Sequence, residues 1–445
     1  MNLDTLRADF RGQIHTPSDA TYDAARAVWN TSIDKRPSII ASCSGTADVV
    51  AAVRFARENG LLTAIRGGGH SVAGRALCDE GIVIDLSKMR AVSVDPATGR
   101  VTVQGGARLS DVDRETHAFG VAVPCGVVPD TGIAGLTLGG GVGFLIRKYG
   151  MTIDNLLSCQ VVTADGRILT ASANENEDLF WALRGGGGNF GVVTSFTYQG
   201  RPVRNVIGGM LIYPRPAAFD VLRNFRDFIE SAPEELTAYA ALLHGPDGSP
   251  VVGVVPVWCG DIEEGLRVLE PLRKFGNPVM DLVQPMPHPV MQGLLGQSFP
   301  GGLRNTWKSS MHESLSDAAI QTVIDHAAQM PSPLGAVVLE YYGGAYSRVP
   351  SDATAFPSRH LPWDIIVIAQ WQDPAGDEAS RNWAREIERA LRPMASPGQL
   401  LSILDNEPDD VVASAFGPNI GRPRAVKKRY DPDNFFRVNT NIKPA

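Results

Sequence analysis

Residues 61–71, LLTAIRGGGHS, are a short apolar run that breaks into three glycines and a histidine. The run from Leu61 to Ile65 predicts a buried strand, because it is brief, rich in aliphatic residues and bounded by glycine. Glycine tolerates positive φ and lets the backbone approach a ligand closely, and successive amides in such a turn form a concave anion site. The stretch therefore predicts a strand that ends in a ligand-binding loop, with His70 at its lip.

Two further glycine clusters follow, at Gly139 to Gly143 and Gly185 to Gly191. One cluster alone is as often a tight turn as a binding loop, but three between buried strands predict a cofactor that carries phosphates. The second of these clusters contains a G-x-G-x-x-G spacing. A helix precedes it and a strand follows, which is the reverse of a Rossmann site. The sequence therefore predicts a phosphate site of another architecture.

The remaining pattern predicts helices and strands in both halves of the chain, with a change in texture near Gly200. Glycine loops then give way to amphipathic helices and strands. Helices are predicted at Thr46 to Asn59 with Thr46 as cap, Leu109 to Phe119, Asn176 to Arg184 and Ala217 to Ile229. Strands are predicted at Gly81 to Leu86, Val101 to Gln104, Leu156 to Ala164, Arg167 to Thr170, Val192 to Gln199, Ala336 to Tyr342 and Asp364 to Gln370, with an irregular segment from Pro124 to Gly143. The fold class is α+β, with a ligand-wrapping first half and a middle domain of antiparallel sheet and helices.

Composition excludes several classes of protein. The chain has 445 residues, for which two domains are the default expectation. A formal net charge of -7 argues against a nucleic-acid partner, and no apolar run approaches the roughly 18 residues of a membrane span. The first residues lack a signal-peptide core, and five cysteines are too few for a disulfide framework. We therefore expect a cytoplasmic protein with a small-molecule partner; the sequence does not indicate an oligomeric state.

Cys125 is the second candidate for chemistry beside a glycine-rich segment. A lone cysteine is most often a small buried hydrophobe, and that is the interpretation for Cys43, Cys78, Cys159 and Cys259. Metal ligation by His70 and Cys125 is an alternative, but the sequence offers no third or fourth ligand, so no metal site is predicted. The hypothesis from the residues is a joint role of the two side chains at one cofactor.

Several of these motifs together resemble a known family. They are RGGGHS at 66–71, PC at 124–125, LGGGVG at 138–143, WALRGGGGNFG at 181–191 and YDPDNFFR at 430–437. In order and spacing they are similar to the berberine bridge enzyme-like flavoprotein oxidases of the vanillyl-alcohol oxidase superfamily. The match covers residues 40–200 and 410–442 and is thinner over 201–400.

The resemblance implies a two-domain FAD-binding fold of the vanillyl-alcohol oxidase type. Residues 1–200 and 406–445 would form the FAD-binding domain, and 201–405 an antiparallel-sheet domain for the substrate. The implied reaction is hydride transfer from a C–N or C–OH bond of a small organic substrate to the flavin, which O2 reoxidises to give H2O2. The alternatives are a dehydrogenase with another electron acceptor and a flavin-binding module without turnover.

The resemblance also implies the cofactor contacts. FAD would be bonded covalently to His70 at the flavin 8α-methyl and to Cys125 at flavin C6. The other implied contacts are Arg66, Gly67, Gly68, Gly69, Ser71, Thr131, Gly132, Gly135, Gly139, Gly140, Gly143, Gly191, Val192, Val193 and Asn439. The residue three beyond the linking cysteine, Val128, would control the access of O2 to the flavin.

The usual catalytic base of the family is absent. Many relatives carry a tyrosine after Gly-x-Asn, whereas Asn419 is followed here by Ile420, and no Tyr-x-Asn occurs in 400–406. Side chains alternate along a strand, so Glu340 and Tyr342 are predicted to share one face, with Gln370 joining them from another strand. We expect these three residues to bind and orient the substrate, with Glu340 attracting a polar or cationic nitrogen.

Overall fold

The computed structural model describes residues 2–400, 403 and 409–445. The strands are, in chain order, β1 (Gln13–His15), β2 (Ile39–Ser42), β3 (Thr63–Arg66), β4 (Ile82–Asp85), β5 (Val92–Val94), β6 (Arg100–Gln104), β7 (Val121–Ala122), β8 (Leu156–Val162), β9 (Ile168–Ser172), β10 (Val192–Gln199), β11 (Arg201–Pro202), β12 (Asn205–Gly208), β13 (Leu211–Pro214), β14 (Leu236–His244), β15 (Pro250–Trp258), β16 (Met280–Asp281), β17 (Gln284–Pro287), β18 (Arg304–His312), β19 (Ala336–Tyr341) and β20 (Trp363–Trp371).

The helices lie between groups of these strands along the chain. They are α1 (Asp4–Ala8), α2 (Tyr22–Arg26), α3 (Thr46–Glu58), α4 (Leu109–Ala118), α5 (Ile133–Leu138), α6 (Ile146–Tyr149), α7 (Glu177–Leu183), α8 (Ala218–Ser231), α9 (Ile262–Lys274), α10 (His288–Gly293), α11 (Asp317–Ala327), α12 (Gly344–Arg348), α13 (Asp377–Leu391), α14 (Asp409–Phe416) and α15 (Gly421–Tyr430). None of the helices in the described ranges is long and apolar enough to cross a membrane.

Two sheets carry the glycine loops of the first half. The first has the order β1-β2-β4-β3, and β2, β4 and β3 run parallel. The loop at 67–71 leaves the carboxyl end of β3. The second sheet, in the order β5-β6-β10-β8-β9, is antiparallel, and the loop at 185–191 leads directly into β10. The two sheets therefore present their glycine loops from different strand ends toward one region.

A nine-stranded antiparallel sheet forms the middle of the chain, with the path β16-β13-β15-β14-β19-β20-β18; β12 also pairs with β15, and β17 pairs with β12. Its side chains alternate between two environments, as strand geometry requires. On β14, Ala238, Ala240 and Leu242 pack into a core with α8, α11 and α13. Tyr239 and Ala241, between them, line a cavity on the opposite face. The sheet is thus the wall between an apolar helical core and that cavity.

The C-terminal segment is fixed to the first half by a buried lysine. Lys427 on α15 pairs with Asp431 at 2.6 Å, and both side chains are fully buried. The same ammonium donates to the carbonyl oxygens of Asn189 and Phe436, each at 2.8 Å. Since Asn189 belongs to the glycine loop before β10, this lysine joins the C-terminal segment to that loop.

The sequence predictions of α3, α4, α7, α8, β10 and the β8–β9 hairpin are confirmed to within a few residues. Two predictions are wrong. The segment 124–143 contains helix α5, so it is not irregular throughout. Thr46 does not cap α3: the cap position is Gly45, and the Thr46 hydroxyl donates to Gln160 instead. The predicted boundary at 405 and 406 lies outside the described residues, and the three-part domain division stays a prediction.

Candidate active site

A cavity of about 940 Å³ lies between the glycine loops and the open face of the nine-stranded sheet. Ligand sites in proteins commonly measure roughly 300–1,000 Å³, so this one is large enough for a cofactor together with a small molecule. The loop side contributes residues from 67–71, 126–142 and 187–193, and the sheet side contributes residues from β14, β15, β19 and β20.

The loop side of the cavity is bare backbone held by close contacts between glycines. A Cβ on Gly68 would lie 2.5 Å from the Cα and N atoms of Gly132, so the two loops touch only because neither carries a side chain. Gly69 has a φ of +70°, which favours glycine. Gly135 and Gly188 also line the cavity, and a Cβ at either position would meet no atom within 4 Å. The glycine walls therefore leave space that a ligand can fill.

His70 stands at the lip of the first loop with a free ring nitrogen. Its ring stacks on Trp29 at 4.0 Å between centroids, which fixes the plane of the imidazole. The Nε2 atom is buried and has no hydrogen-bond partner among the described residues. Burial lowers the pKa of His70 to about 4, so the imidazole is neutral near pH 7. A neutral, oriented imidazole with an unused nitrogen at a cavity wall is suited to bonding a ligand.

Cys125 is buried and is not among the residues that line the cavity. Its Sγ lies 3.6 Å from Nε2 of Gln292, which also donates to the carbonyl oxygen of Gly126 at 3.0 Å. Asp113 on α4 is the adjacent charged group, and burial raises the pKa of the Cys125 thiol. The next three residues, Gly126, Val127 and Val128, do line the cavity. The bond from Cys125 to FAD stays a prediction.

Glu340 is the acidic side chain that lines the sheet side of the cavity. The Tyr342 hydroxyl donates to Glu340 Oε2 at 2.8 Å and lies 3.3 Å from Asp364 Oδ2. Burial, followed by the charge of Asp364, raises the pKa of Glu340 to about 8. Burial raises the pKa of Asp364 to about 6. Near pH 7 the cavity therefore meets Glu340 chiefly as a neutral acid.

Tyr342 does not line the cavity, so the prediction that it contacts the substrate is wrong. It is fully buried, does not line the cavity, and packs on Tyr346 at 5.2 Å between ring centroids. The predicted shared face with Glu340 is confirmed by their hydrogen bond. Strand β19 ends at Tyr341, so the backbone of Tyr342 already departs from the sheet and carries the ring behind Glu340.

Two polar atoms in the cavity wall lack partners among the described residues, one beside Glu340 and one at Gln370, about 20 Å along the sheet from Glu340, so the prediction that Gln370 joins Glu340 is wrong. The Tyr239 hydroxyl on β14 is buried without a hydrogen-bond partner in the described part of the chain, and Tyr239 pairs with Glu340 across β14 and β19. Gln370 donates from Nε2 to the carbonyl oxygen of Ser298 at 3.0 Å, which leaves its buried Oε1 without a partner there. Buried polar groups are normally satisfied, so these two atoms mark a place for a polar ligand.

Known proteins share this architecture and sequence. A family model for an FAD binding domain matches residues 37–172, and one described as berberine and berberine like matches residues 391–443. The chain is 33% identical to (R)-6-hydroxynicotine oxidase of Paenarthrobacter nicotinovorans, over 98% of this chain and 97% of that protein. The chain belongs to the berberine bridge enzyme-like FAD-linked oxidoreductases.

Two further comparisons, one of sequence and one of structure, support the same family. An FAD-linked oxidoreductase of Dictyostelium discoideum is 32% identical over 94% of this chain and 91% of that protein. The crystal structure of 6-hydroxy-D-nicotine oxidase from Arthrobacter nicotinovorans superposes with a TM-score of 0.89 and 31% identity, covering 98% of each chain. The predicted fold class, α+β of the vanillyl-alcohol oxidase type, is confirmed, and the protein is an FAD-linked oxidoreductase.

The cavity fits the FAD of this family in three respects. The volume exceeds the needs of a small substrate, the glycine walls leave room beside bare backbone, and the His70 Nε2 atom has no partner among the described residues. Sequence analysis overlooked Arg75, which lines the same end of the cavity and donates to the Thr440 hydroxyl. A guanidinium beside glycine loops suits a diphosphate.

Most of the expected contacts line the cavity, and their contact with FAD stays a prediction. These are Gly67, Gly68, Gly69, His70, Ser71, Val128, Thr131, Gly132, Gly135, Gly139, Gly191, Val193, Glu340, Gln370 and Asn439. Asn439 donates to the carbonyl oxygen of Gly188 at 3.0 Å, so it also braces the loop before β10.

Four expected FAD contacts do not line the cavity, in addition to Cys125. Arg66 turns away and forms a buried ion pair with Asp85 at 2.8 Å, which fixes the start of the glycine loop. The other three are Gly140, Gly143 and Val192. A Cβ on Gly140 would lie 2.5 Å from a Met151 side-chain atom, and one on Gly143 would lie 1.8 Å from the Cys125 carbonyl oxygen. Both glycines serve close packing, and Val192 is a core residue.

Proposed function

We propose that this enzyme is an oxidase that removes a hydride from the carbon beside the nitrogen of a small organic amine. The observation that carries the proposal is the state of Glu340, the carboxyl of the cavity wall. Oxidation of an alcohol requires a base that takes the hydroxyl proton. Glu340, with its raised pKa of about 8, is chiefly protonated near pH 7 and is a poor base there. A free amine needs no base, because its nitrogen lone pair assists the loss of hydride.

Another titratable wall residue is badly placed to act as that base. His244 lines the cavity at the end of β14. It lies five residues beyond Tyr239, which corresponds to about 16 Å along a strand. Position 420, where relatives carry a tyrosine, is isoleucine here. Both observations favour an amine over an alcohol as substrate.

The wall also indicates how the amine is held. Glu340 and Tyr239 are neighbours across β14 and β19, and they are the polar groups placed to contact the nitrogen. The Tyr239 hydroxyl can donate or accept a hydrogen bond. Gln370 lies six residues beyond Asp364, the cross-strand partner of Glu340, or about 20 Å along the strand, so its Oε1 is placed for another part of a ligand. Apolar side chains from Val338, Ile366 and Ile368 complete this face. The proposed substrate is therefore a small amine with a polar nitrogen and an apolar body, which agrees with the nicotine-derived substrate named for the bacterial relative.

FAD supplies the hydride acceptor and, on reoxidation by O2, gives H2O2. We propose that it is held by a single covalent bond, from His70. The unused Nε2 atom supports this bond, while the orientation of Cys125 toward Gln292 speaks against a second one. The expectation of a bicovalent flavin is therefore replaced by a monocovalent one. Arg75 and the glycine loop at 67–71 would hold the diphosphate.

A cytoplasmic location remains a proposal. All five cysteines are free and buried, which is compatible with a reducing compartment.

The test is anaerobic mixing of the holoenzyme with a panel of amines, secondary alcohols, sugars and phenols, followed by addition of air. We expect an amine to bleach the flavin absorbance, and air to restore it with release of one H2O2 per flavin. Bleaching by an alcohol or a sugar, with none by any amine, would overturn the amine proposal. A reduced flavin that reacts with a dye acceptor but not with O2 would show a dehydrogenase.

A further inference from the structure

Glu340, Tyr342 and Asp364 form a chain of three polar groups behind the cavity wall. The Tyr342 hydroxyl lies 2.8 Å from Glu340 Oε2 and 3.3 Å from Asp364 Oδ2. A phenol has one proton to donate. If both carboxyls were ionised, one of the two contacts would join lone pairs without a proton. The geometry is satisfied when one carboxyl carries a proton and donates to the tyrosine, which donates to the other.

The surroundings decide which carboxyl carries that proton. Asp364 accepts a further hydrogen bond from the Ser309 hydroxyl on β18 at 2.8 Å, and the backbone N–H of Ser310 also favours its ionised form. The hydrogen-bond partner of Glu340 in the described part of the chain is the Tyr342 hydroxyl, which can accept as well as donate. Since donors stabilise the carboxylate that accepts them, the negative charge belongs on Asp364 and the proton on Glu340.

Other titratable groups face the trio from neighbouring elements without changing this order. Tyr239 on β14 lies beside Glu340 and is itself fully protonated in the physiological range, because burial raises its pKa. Tyr346 on α12 packs on Tyr342 and donates to the carbonyl oxygen of Leu361 at 3.2 Å. The Arg359 guanidinium lies over the Tyr346 ring at 5.5 Å, but it is bonded to both carboxylate oxygens of Asp154.

We propose that Asp364 is a positioning residue: through the Tyr342 hydroxyl it keeps the substrate-facing Glu340 protonated and neutral. The consequence for catalysis rests on the proposed amine oxidase function. A neutral Glu340 holds no fixed charge that would retain the ammonium form of a bound amine. Above the pKa of Glu340 the wall becomes anionic and prefers the cation, which cannot release hydride.

The direct test is infrared spectroscopy of the holoenzyme without substrate, followed through the C=O band of protonated carboxyls from pH 5 to 10. Glu340→Gln assigns the Glu340 band. Asp113→Asn is the matched control, because burial raises the pKa of that carboxyl to about 7 as well and it lies outside the cavity. We expect the wild-type Glu340 band to persist past neutral pH and to remain in the Asp113→Asn variant.

Asp364→Asn should remove the neighbouring charge, so that the Glu340 band is lost at a pH lower by about one unit or more. Tyr342→Phe should act in the same direction, since it removes the hydroxyl that accepts the Glu340 proton and links it to Asp364. Ser309→Ala, at a half-buried position, is the second route if Asp364→Asn fails to fold: it should weaken the Glu340 band as the proton shifts toward Asp364.

An unchanged midpoint in Asp364→Asn, or an unchanged band in Ser309→Ala, would overturn the proposal, as would the absence of a protonated Glu340 at neutral pH. A structural role alone would not lower the midpoint of the Glu340 band in both Asp364→Asn and Tyr342→Phe. Because no substrate is present, these outcomes do not depend on whether amines bleach the flavin, and the two proposals fail separately.

Discussion

At the scale of single residues, the site depends on side chains whose polar atoms are left unused by the fold. His70 Nε2, Tyr239 Oη and Gln370 Oε1 are buried and unpaired within the described ranges. Each such atom costs free energy of about 1–3 kcal/mol if nothing binds it. Three of them around one cavity are explained by ligands that complete their hydrogen bonds or form a covalent bond.

Glu340→Gln tests the role of the acid in the wall. Glutamine keeps the size and a donor but cannot carry a proton to Tyr342. We expect the KM for the amine substrate to rise more than the rate of flavin reduction falls, as measured by stopped flow under anaerobic conditions. A thousandfold loss of the reduction rate, the upper part of what a general base contributes, would instead identify Glu340 as the base.

Val128→Ile tests the access of O2. The resemblance selected Val128 as the residue three beyond Cys125. Val128 itself lines the wall, and isoleucine adds a methylene there. We expect slower reoxidation by O2 with an unchanged rate of reduction by substrate. Equal reoxidation rates in variant and wild type would remove Val128 from the oxygen path.

Residue patterns alone could predict part of this site. The glycine loops and His70 were identifiable because glycine clusters between strands have few other uses. The direction of the Cys125 side chain could not be predicted, because the segment 124–132 has no period that shows which side chains face inward. Tyr239 and Asp364 were missed because both meet Glu340 across strands, and the register of a sheet is not readable from one sequence.

At the scale of elements, helix α5 shows how a glycine is used inside regular structure. Gly135 sits within this helix, although glycine costs about 0.5–1 kcal/mol relative to alanine there. Its missing side chain opens onto the cavity. Helix α5 is therefore less stable than it would be with alanine at this position, but it leaves room for the ligand.

Gly135→Ala should therefore separate folding from cofactor binding. We expect the apoprotein to melt at the same or a higher temperature, while the ratio of flavin to protein falls several-fold because the methyl group occupies ligand space. Gly293→Ala is the control, since it also lies in a helix, also meets no atom within 4 Å, and does not line the cavity. Full flavin content in Gly135→Ala would contradict the placement of FAD against α5.

The contact of α4 with α10 buries a carboxyl whose protonation makes the free energy of unfolding depend on pH. Burial raises the pKa of Asp113 on α4 to about 7, from an ordinary value of 3.8. A raised folded-state pKa stabilises the protein at low pH, and this contribution is lost as pH rises through about 7. Asp113→Asn should thus be relatively more stable at pH 8 than at pH 5, by up to about 3 kcal/mol, which corresponds to the roughly two pH units between pH 5 and the raised pKa.

Thermal melts of wild type and Asp113→Asn at the two pH values measure this difference. The exposed Asp220→Asn on α8 serves as control, since its carboxyl lies in solvent. The same shift in melting temperature at pH 5 and pH 8 would show that Asp113 does not titrate between them.

At the scale of the whole molecule, the cavity exists because two parts of the chain present opposite kinds of surface to each other. The nine-stranded sheet offers side chains and buries its other face under helices, while the glycine loops offer bare backbone. Lys427 and Asp431 hold the C-terminal segment against the loop before β10. The proposed FAD would then lie between the glycine loops and the open face of the sheet.

The central claim is an FAD site in this cavity with one covalent bond, from His70. It is tested most directly by the intact mass of the acid-denatured protein, for wild type, His70→Ala and Cys125→Ala. We expect wild type and Cys125→Ala to carry the added mass of one FAD, and His70→Ala to carry none. Flavin that separates from denatured wild type, or that stays bonded in His70→Ala and is lost in Cys125→Ala, would contradict the claim.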